Sequence, residues 1–287
     1  FDAVAPLLGS ERLLYARLGS LLGGHEAQLL AIADALEQEA AQRNAAANQV
    51  IAELLVDVTA YRIQAPEKEP VAIAAANQTI RRLVKDAEQK SVDALLALYR
   101  FDRSDFRDDD IPVIESGVEH DLFNPEGIKA ASLRLGLGAV IGTAIGLGVD
   151  IAMVGMTFGA GVVVGSALGG MLASSAKDMW RWANARYHGY IDLMINEATL
   201  AVLVIRQLQL LQAIEARTHA AQEAAERGGE IELDAFWSEL PSALNKARIH
   251  PKWSRIGDRF VPDADREEVI ADIAAVLAQV SCPSGGT

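Results

Sequence analysis

The residues best suited to chemistry lie in an acidic segment, residues 101–123. Glu119, His120 and Asp121 follow a run of aspartates there, and carboxylate and imidazole groups are common ligands of divalent cations. Neighbouring side chains of an extended segment point to opposite faces, however, and no second histidine stands at ligand spacing from His120. We therefore predict a solvated acidic connector and no metal site.

Histidines elsewhere in the chain could act as general bases. No serine or cysteine is placed by a motif near His188, His219 or His250, so packing roles are the simpler interpretation of these three residues. The single cysteine, Cys282, excludes an internal disulfide and a cysteine-based metal cluster, and it suits a reducing compartment. We predict no catalytic residue, no cofactor and no enzyme activity in this chain.

One acid, Asp150, stands within an apolar segment that we call the glycine-rich stretch, residues 135–173. A carboxylate in apolar surroundings is costly, so an ion site or a proton relay is one interpretation. Gly148 and Gly155 flank Asp150, which favours a turn between them with Asp150 as the N-cap of a following helix. We favour the cap and place Asp150 at the tip of a helical hairpin.

Glycines recur at every fourth residue on each side of that tip. Spacing of four keeps them on one face of a helix, and since glycine is a poor helix former, such a stripe indicates close approach of a second helix. The sequence therefore predicts two helices packed as a glycine-zipper hairpin. Its packing residues are Gly138, Gly142, Gly146, Gly161, Gly165 and Gly169.

Basic and aromatic residues flank the glycine-rich stretch, as is typical of segments that meet a membrane surface. The first half of the stretch is shorter than the about 20 apolar residues that span a bilayer, and its glycines make it weakly hydrophobic. We favour contact with an anionic membrane, and a hairpin buried in the fold is the alternative. The flanking residues, called the collar below, are Lys129, Arg134, Lys177, Trp180, Arg181, Trp182 and Arg186.

Long helices are predicted to position these groups. Apolar residues recur every three or four positions in segments 25–64 and 71–99, without an internal proline or glycine. We expect an antiparallel helical stalk over residues 1–100, the acidic connector over 101–123, the hairpin with its collar over 124–190, and C-terminal helices over 191–287 that pack on the stalk. The predicted fold class is all-α, an elongated helical bundle.

Composition restricts the partners and the location. The 51% hydrophobic and 6% aromatic content means mostly aliphatic residues, which suits helices. The net charge of -13, without any basic stripe, excludes nucleic acid as a partner. We expect a cytoplasmic protein that is peripheral at the inner membrane if the hairpin meets lipid.

Four sequence blocks in combination resemble a bacterial protein family. They are ALLALYRF at residues 94–101, DLFNPE at 121–126, GLGVD at 146–150 and RQLQLLQAIEARTHAA at 206–221. The chain resembles the C-terminal helical region, a domain of unknown function, that follows a small P-loop GTPase domain in certain bacterial proteins. The resemblance implies a GTPase domain in cis that alone binds GTP and Mg²⁺, because this chain has no GxxxxGK[ST] motif.

The resemblance implies a non-catalytic C-terminal helical domain of a bacterial GTPase, its membrane-contacting or effector half. Arg206 and Gln207, in an apolar helical segment, are candidates for contact with the GTPase domain, although an arginine head that reaches solvent at the edge of the bundle is the simpler interpretation. Two alternatives remain open: a soluble scaffold or oligomerisation module with the hairpin as its core, and an autonomous membrane-inserting module of pore or toxin type. A homo-oligomer is compatible with each.

Overall fold

The computed structural model describes residues 10–106, 151–154, 189–218 and 243–281. Helices dominate this part of the chain, which confirms the all-α fold class, and a small antiparallel sheet joins them. Short 3-10 turns occupy Arg103–Asp105 and Pro251–Trp253. The longer elements are α1 (Ser10–Leu22), α2 (Glu26–Ala60), β1 (Ile63–Pro66), α3 (Pro70–Leu98), β2 (Ile151–Val154), β3 (Tyr190–Ile195), α4 (Glu197–Thr218), α5 (residues 243–249) and α6 (Ala264–Ser281).

A glycine turn separates α1 from α2. Gly23 and Gly24 have φ angles of 48° and 86°, in the left-handed region that favours glycine, and α1 ends directly before them. The 35 residues of α2 give it a length of about 50 Å. Its C-terminal half is largely buried, whereas its N-terminal half is mostly exposed and packs against α1.

The two long helices α2 and α3 run antiparallel, as predicted. Arg43 of α2 lies over the ring of Tyr99, just after α3, with 5.6 Å between its guanidinium carbon and the ring centre. At the other end of α2, burial raises the pKa of Tyr61, the nearby Asp258 raises it further, and the nearby Arg82 of α3 lowers it. The middle of α2 therefore lies beside the end of α3, and the end of α2 lies near the middle of α3.

The core is centred on α4, which is buried on most of its circumference. Leu203, Leu210 and Leu211 have no exposed surface, and nearly all residues from 199 to 205 are buried as well. A helix that is apolar all round belongs in the interior rather than on a surface. α2 and α3 both contact α4, and α2 also contacts α6.

The sheet has the strand order β1-β3-β2 and is antiparallel throughout. Gly189, with φ of 72°, precedes β3, and its carbonyl accepts a hydrogen bond of 2.8 Å from the Glu67 backbone N–H. β2 lies where we predicted the turn of the hairpin. The expectation that a helix begins directly after Asp150 is wrong, because the residues that follow it, Ile151–Val154, form a strand.

Candidate functional site

The sheet attaches the centre of the glycine-rich stretch to the helices, and we take it as the candidate functional site. β2 comes from that stretch, and its register pairs Ile151 with Ile195 and Val154 with Asp192. β3, its partner, is the central strand and pairs on its other side with β1. The backbone of residues 151–154 is therefore fixed to the strand that leads directly into α4.

Alternate side chains of β3 anchor this strand in the core. Ile191, Leu193 and Ile195, at a period of two, lie on one face and are buried in the core, and Met194 on the opposite face is buried as well. Leu193 lies opposite Ile63 of β1, and both belong to or pack against the hydrophobic core. β3 is therefore a structural part of the helical body, by which we mean the packed helices α2, α3, α4 and α6.

Arg62, between α2 and β1, fixes the other face of β3. Its Nη1 lies 3.4 Å from Oδ2 of Asp192, and its Nη2 donates a hydrogen bond to the carbonyl of Arg248 in α5. Arg248 in turn lies with Nη1 3.9 Å from the sulfur of Met194. These contacts connect the end of α2, the central strand and α5 through mostly buried side chains.

A buried ion pair and a neighbouring hydrogen bond join α4 to α3. Arg206 Nε donates to Oε1 of Glu88 at 2.8 Å, and Ser91 Oγ donates to Oε1 of Gln207 at 2.9 Å. The Glu88 side chain is only 2% exposed, so water hardly competes for this ion pair. The interpretation of Arg206 as an arginine that reaches solvent is wrong, because its guanidinium pairs with Glu88 inside the bundle.

A second buried ion pair joins α2 to α6. Arg266, with no exposed side-chain surface, donates from Nη2 to Oδ1 of Asp57 and from Nε to the carbonyl of Trp253, each at 2.9 Å. Burial raises the pKa of Asp57, although hydrogen bonds from the Arg255 backbone N–H and from Arg266 lower it. The Asp57 carbonyl also accepts a hydrogen bond of 2.7 Å from Ser254 Oγ. The segment before α6 is thus fixed to the end of α2.

Glu215, near the end of α4, is a partly buried acid that accepts hydrogen bonds from two neutral side chains. Its Oε1 accepts hydrogen bonds of 3.1 Å from Asn44 Nδ2 and from the Tyr99 hydroxyl. Burial raises the pKa of Glu215, and the hydrogen bond from Tyr99 partly opposes this effect. This contact brings α2, α4 and the end of α3 together at one point.

Most of the residues predicted from the sequence to form a site lie outside the described residues. This applies to Asp150, to the metal candidates Glu119, His120 and Asp121, and to His188 and His219. It also applies to all predicted packing glycines and to the whole collar. These are Gly138, Gly142, Gly146, Gly161, Gly165, Gly169, Lys129, Arg134, Lys177, Trp180, Arg181, Trp182 and Arg186.

His250 is the predicted packing histidine that the structure does describe. Its ring stacks on Trp253 with 4.4 Å between ring centres and 13° between planes, which is a packing contact. No group of three or more His, Cys, Asp or Glu side chains in the described ranges could hold a metal ion. Within the same ranges, no helix combines the length and the apolar character that crossing a bilayer takes.

Sequence reasoning missed the sheet and the partners of the buried arginines. A signal for β3 was present, since YIDLMI alternates Ile191, Leu193 and Ile195 with other residues at a period of two. β2 gave no such signal, because the glycine spacing around it is that of a helix. Neither Glu88 nor Asp57 differs in local pattern from a solvated helix residue.

Comparison with known protein families gives a match that covers most of the elements described above. A family model described as a domain of unknown function, DUF3482, matches residues 1–275. The chain belongs to this family. The DUF3482 match extends from α1 into α6 and so includes the sheet and both buried ion pairs. No curated protein and no solved structure is significantly similar to the chain.

Proposed function

We propose that this chain is the non-catalytic effector domain of a bacterial GTPase, and that its glycine-rich stretch is the part that contacts a membrane. One observation carries the proposal: β2 attaches the centre of that stretch to β3 of the helical body. A domain built in this way has a mechanical connection between its helices and its most apolar segment. That connection is what an effector driven by a GTPase domain in cis requires.

The path from helices to sheet runs through α4. Asn196 separates β3 from α4 and caps the helix, with its Oδ1 accepting a hydrogen bond of 2.8 Å from the Thr199 backbone N–H. α4 is joined to α3 by the Glu88–Arg206 ion pair at 2.8 Å. A displacement of α3 or α4 therefore acts on β3 and on the strand paired with it.

The placement of the buried ionisable groups supports a non-catalytic role. Glu88 with Arg206, Asp57 with Arg266, and Arg62 with Asp192 each join two different elements of the fold. A catalytic constellation instead gathers an acid, a base or a nucleophile at an accessible pocket. The buried charges of the described residues thus serve helix and sheet contacts.

The GTPase part of the proposal is tested first with the natural full-length protein. We expect a P-loop domain to precede this chain in its reading frame, and we expect vesicle binding to differ between the GDP-bound and the GTP-analogue-bound protein. The isolated chain should bind no GTP in calorimetry, because it has no phosphate-binding loop. A reading frame without a P-loop, or saturable micromolar GTP binding by the isolated chain, contradicts the proposal.

The membrane part is tested by flotation of the isolated chain with vesicles of phosphatidylglycerol and phosphatidylethanolamine. We expect binding that needs the anionic lipid and weakens with salt, because the basic collar residues each contribute about 1 kcal/mol near an anionic surface. Replacing Lys177, Arg181 and Arg186 by glutamine should then weaken binding by about 3 kcal/mol at low salt. Asp150→Asn, which removes a charge from the stretch, should strengthen it.

A second candidate function is favoured by the same β2–β3 pairing. A strand paired to the body also suits a helical scaffold in which the glycine-rich stretch stays with the fold and never enters lipid. In that case the wild-type chain remains in the aqueous fraction over strongly anionic vesicles at low salt, and it is monodisperse without detergent. Gly142→Leu and Gly165→Leu then destabilise the fold by overpacking, by about 1 to 3 kcal/mol each.

A further inference from the structure

The paired position of β2 is incompatible with the arrangement of a membrane-inserted hairpin. In such a hairpin, residues 151–154 lie at the tip, about 20 Å beyond the collar if the preceding half is helical. β3 begins at Tyr190, shortly after the last collar residue, Arg186. Paired strands lie only about 4.8 Å apart, so residues 151–154 cannot be at β3 and at the far tip together.

β3 is the partner that stays in place. It pairs with β1 through four residues, its side chains Ile191, Leu193 and Ile195 are buried in the core, and Asp192 lies 3.4 Å from Arg62. β3 also leads directly into the buried helix α4. β1 and β2 are both four-residue strands at the edges of the described sheet, and β1 is held further by its contact with α3 and by its buried residue Ala65. A short edge pairing such as that of β2 opens reversibly far more readily than a central one.

We propose that β2 is a latch: its pairing with β3 holds the centre of the glycine-rich stretch at the body, and entry of the stretch into an anionic bilayer requires β2 to leave β3. This inference rests on the proposed membrane contact. It adds the step that controls that contact, and it identifies the backbone ladder of residues 151–154 with residues 192–195 as the element that opens.

A disulfide across the latch tests this inference. Ala152 and Met194 are directly opposed in the register, and the Cα separation of opposed antiparallel residues falls within the range that a disulfide bridges. We combine Ala152→Cys and Met194→Cys with Cys282→Ser, so that no other thiol is present. The oxidised protein should bind phosphatidylglycerol vesicles at least about tenfold more weakly than the same protein after reduction.

A matched control places the disulfide on the other side of β3. Pro66 and Tyr190 are opposed in the β1–β3 register, so Pro66→Cys with Tyr190→Cys, again with Cys282→Ser, locks the body and leaves β2 free to move. Its oxidised and reduced forms should bind vesicles equally. Hydrogen exchange on the unmodified chain gives an independent measurement: amides of residues 151–154 should lose protection on vesicles, while those of residues 63–66 keep it.

Each outcome decides between the proposals. Equal vesicle binding by the oxidised and reduced β2–β3 variant overturns the latch and leaves the membrane proposal standing. Absence of vesicle binding by the unmodified chain overturns the membrane proposal and the latch with it. Failure of the Ala152→Cys and Met194→Cys thiols to join under oxidation, or retained protection of residues 151–154 on vesicles, also overturns the latch.

Discussion

The ion pair between α3 and α4 and the ion pair between α2 and α6 differ in which partner is the more deeply buried. In the first pair, Glu88 is 2% exposed and Arg206 is 12% exposed. In the second pair the order is reversed, since Arg266 has no exposed surface and Asp57 is 14% exposed. The more deeply buried partner is thus the cation Arg266 in the α2–α6 pair and the carboxylate Glu88 in the α3–α4 pair.

This difference determines what happens when a pair is broken. A buried carboxylate that loses its partner can take up a proton and become neutral, whereas a guanidinium stays charged at every accessible pH. The cost of leaving the buried Glu88 without Arg206 therefore depends on pH, whereas Arg266 stays charged at every accessible pH when Asp57 is removed. Two substitutions, one in each pair, test this contrast.

Asp57→Ala should have the largest effect. It takes from the buried cation Arg266 its more deeply buried acidic partner and leaves the ion pair with Glu267, at 2.9 Å, whose side chain is 56% exposed. It also removes the acceptor of the Arg255 backbone N–H, a hydrogen bond of 3.0 Å. We expect the free energy of unfolding to fall by about 4 kcal/mol, measured by urea denaturation. The loss should be no smaller at pH 5 than at pH 7, because Arg266 cannot lose its proton and because burial raises the pKa of Asp57, so that the wild type gains stability as the pH falls.

Glu53→Ala is the control for this prediction. Glu53 pairs with Arg255 at 2.7 Å on the same side of α2, but this pair is much more open to water, because the Arg255 side chain is 45% exposed and that of Glu53 is 29% exposed. Exposed pairs contribute about 0 to 1 kcal/mol, so this variant should lose little stability. If Asp57→Ala and Glu53→Ala have equal small effects, burial of Arg266 does not control the stability of the α2–α6 contact.

Arg206→Met should have a smaller and pH-dependent effect. At pH 7 it leaves Glu88 as a buried carboxylate, and we expect a loss of about 3 kcal/mol in urea denaturation. In this variant the folded state binds a proton at Glu88 more tightly than the unfolded state, so its stability falls as the pH rises above the unfolded pKa. The difference from the wild type should therefore be smaller at pH 5 than at pH 7.

Glu88→Gln combined with Arg206→Met is the matched control, because it removes the buried charge altogether. We expect most of the stability to return at pH 7 and the pH dependence of the difference to disappear. An Arg206→Met loss that is identical at pH 5 and pH 7 contradicts the proposed role of Glu88 as the deeper partner.

The helices could be predicted from the sequence because their signals are local. The observed bounds of α2, Glu26–Ala60, and of α3, Pro70–Leu98, agree with the predicted segments 25–64 and 71–99 to within a few residues. The periodic apolar residues lie within the helices that they indicate, and the Gly23-Gly24 turn lies directly between α1 and α2.

The sheet and the ion pairs could not be predicted because their partners are distant in the chain. Ile63 pairs with Leu193 across the sheet, and Arg206 and Glu88 are separated by 118 positions. A strand's local pattern indicates that it is a strand but not which strand it joins. β1 is four residues long and ends in Pro66, so it also reads as part of a loop.

Glu215 is a partly buried acid that accepts hydrogen bonds from the neutral side chains of Asn44 and Tyr99, and Glu215→Gln should have the smallest effect of the substitutions considered. Burial raises the pKa of Glu215, so the folded state binds its proton more tightly than the unfolded state does. Its contribution to stability is therefore fully present below the unfolded pKa and is lost as the pH rises through the folded pKa. Glutamine has no charge to bury, and its amide oxygen can still accept from the Tyr99 hydroxyl.

We therefore expect Glu215→Gln to increase the free energy of unfolding at pH 8, by less than about 1 kcal/mol, and to change it little at pH 4. Urea denaturation at the two pH values measures the difference. Glu39→Gln is the control, because Glu39 is 57% exposed and pairs with Arg43 at 2.6 Å on the surface of α2, so its replacement should give no gain at pH 8. A loss of stability for Glu215→Gln at pH 8 would mean that the ionised carboxylate is the favoured form at this junction of α2, α3 and α4, and that burial is not the dominant influence on it.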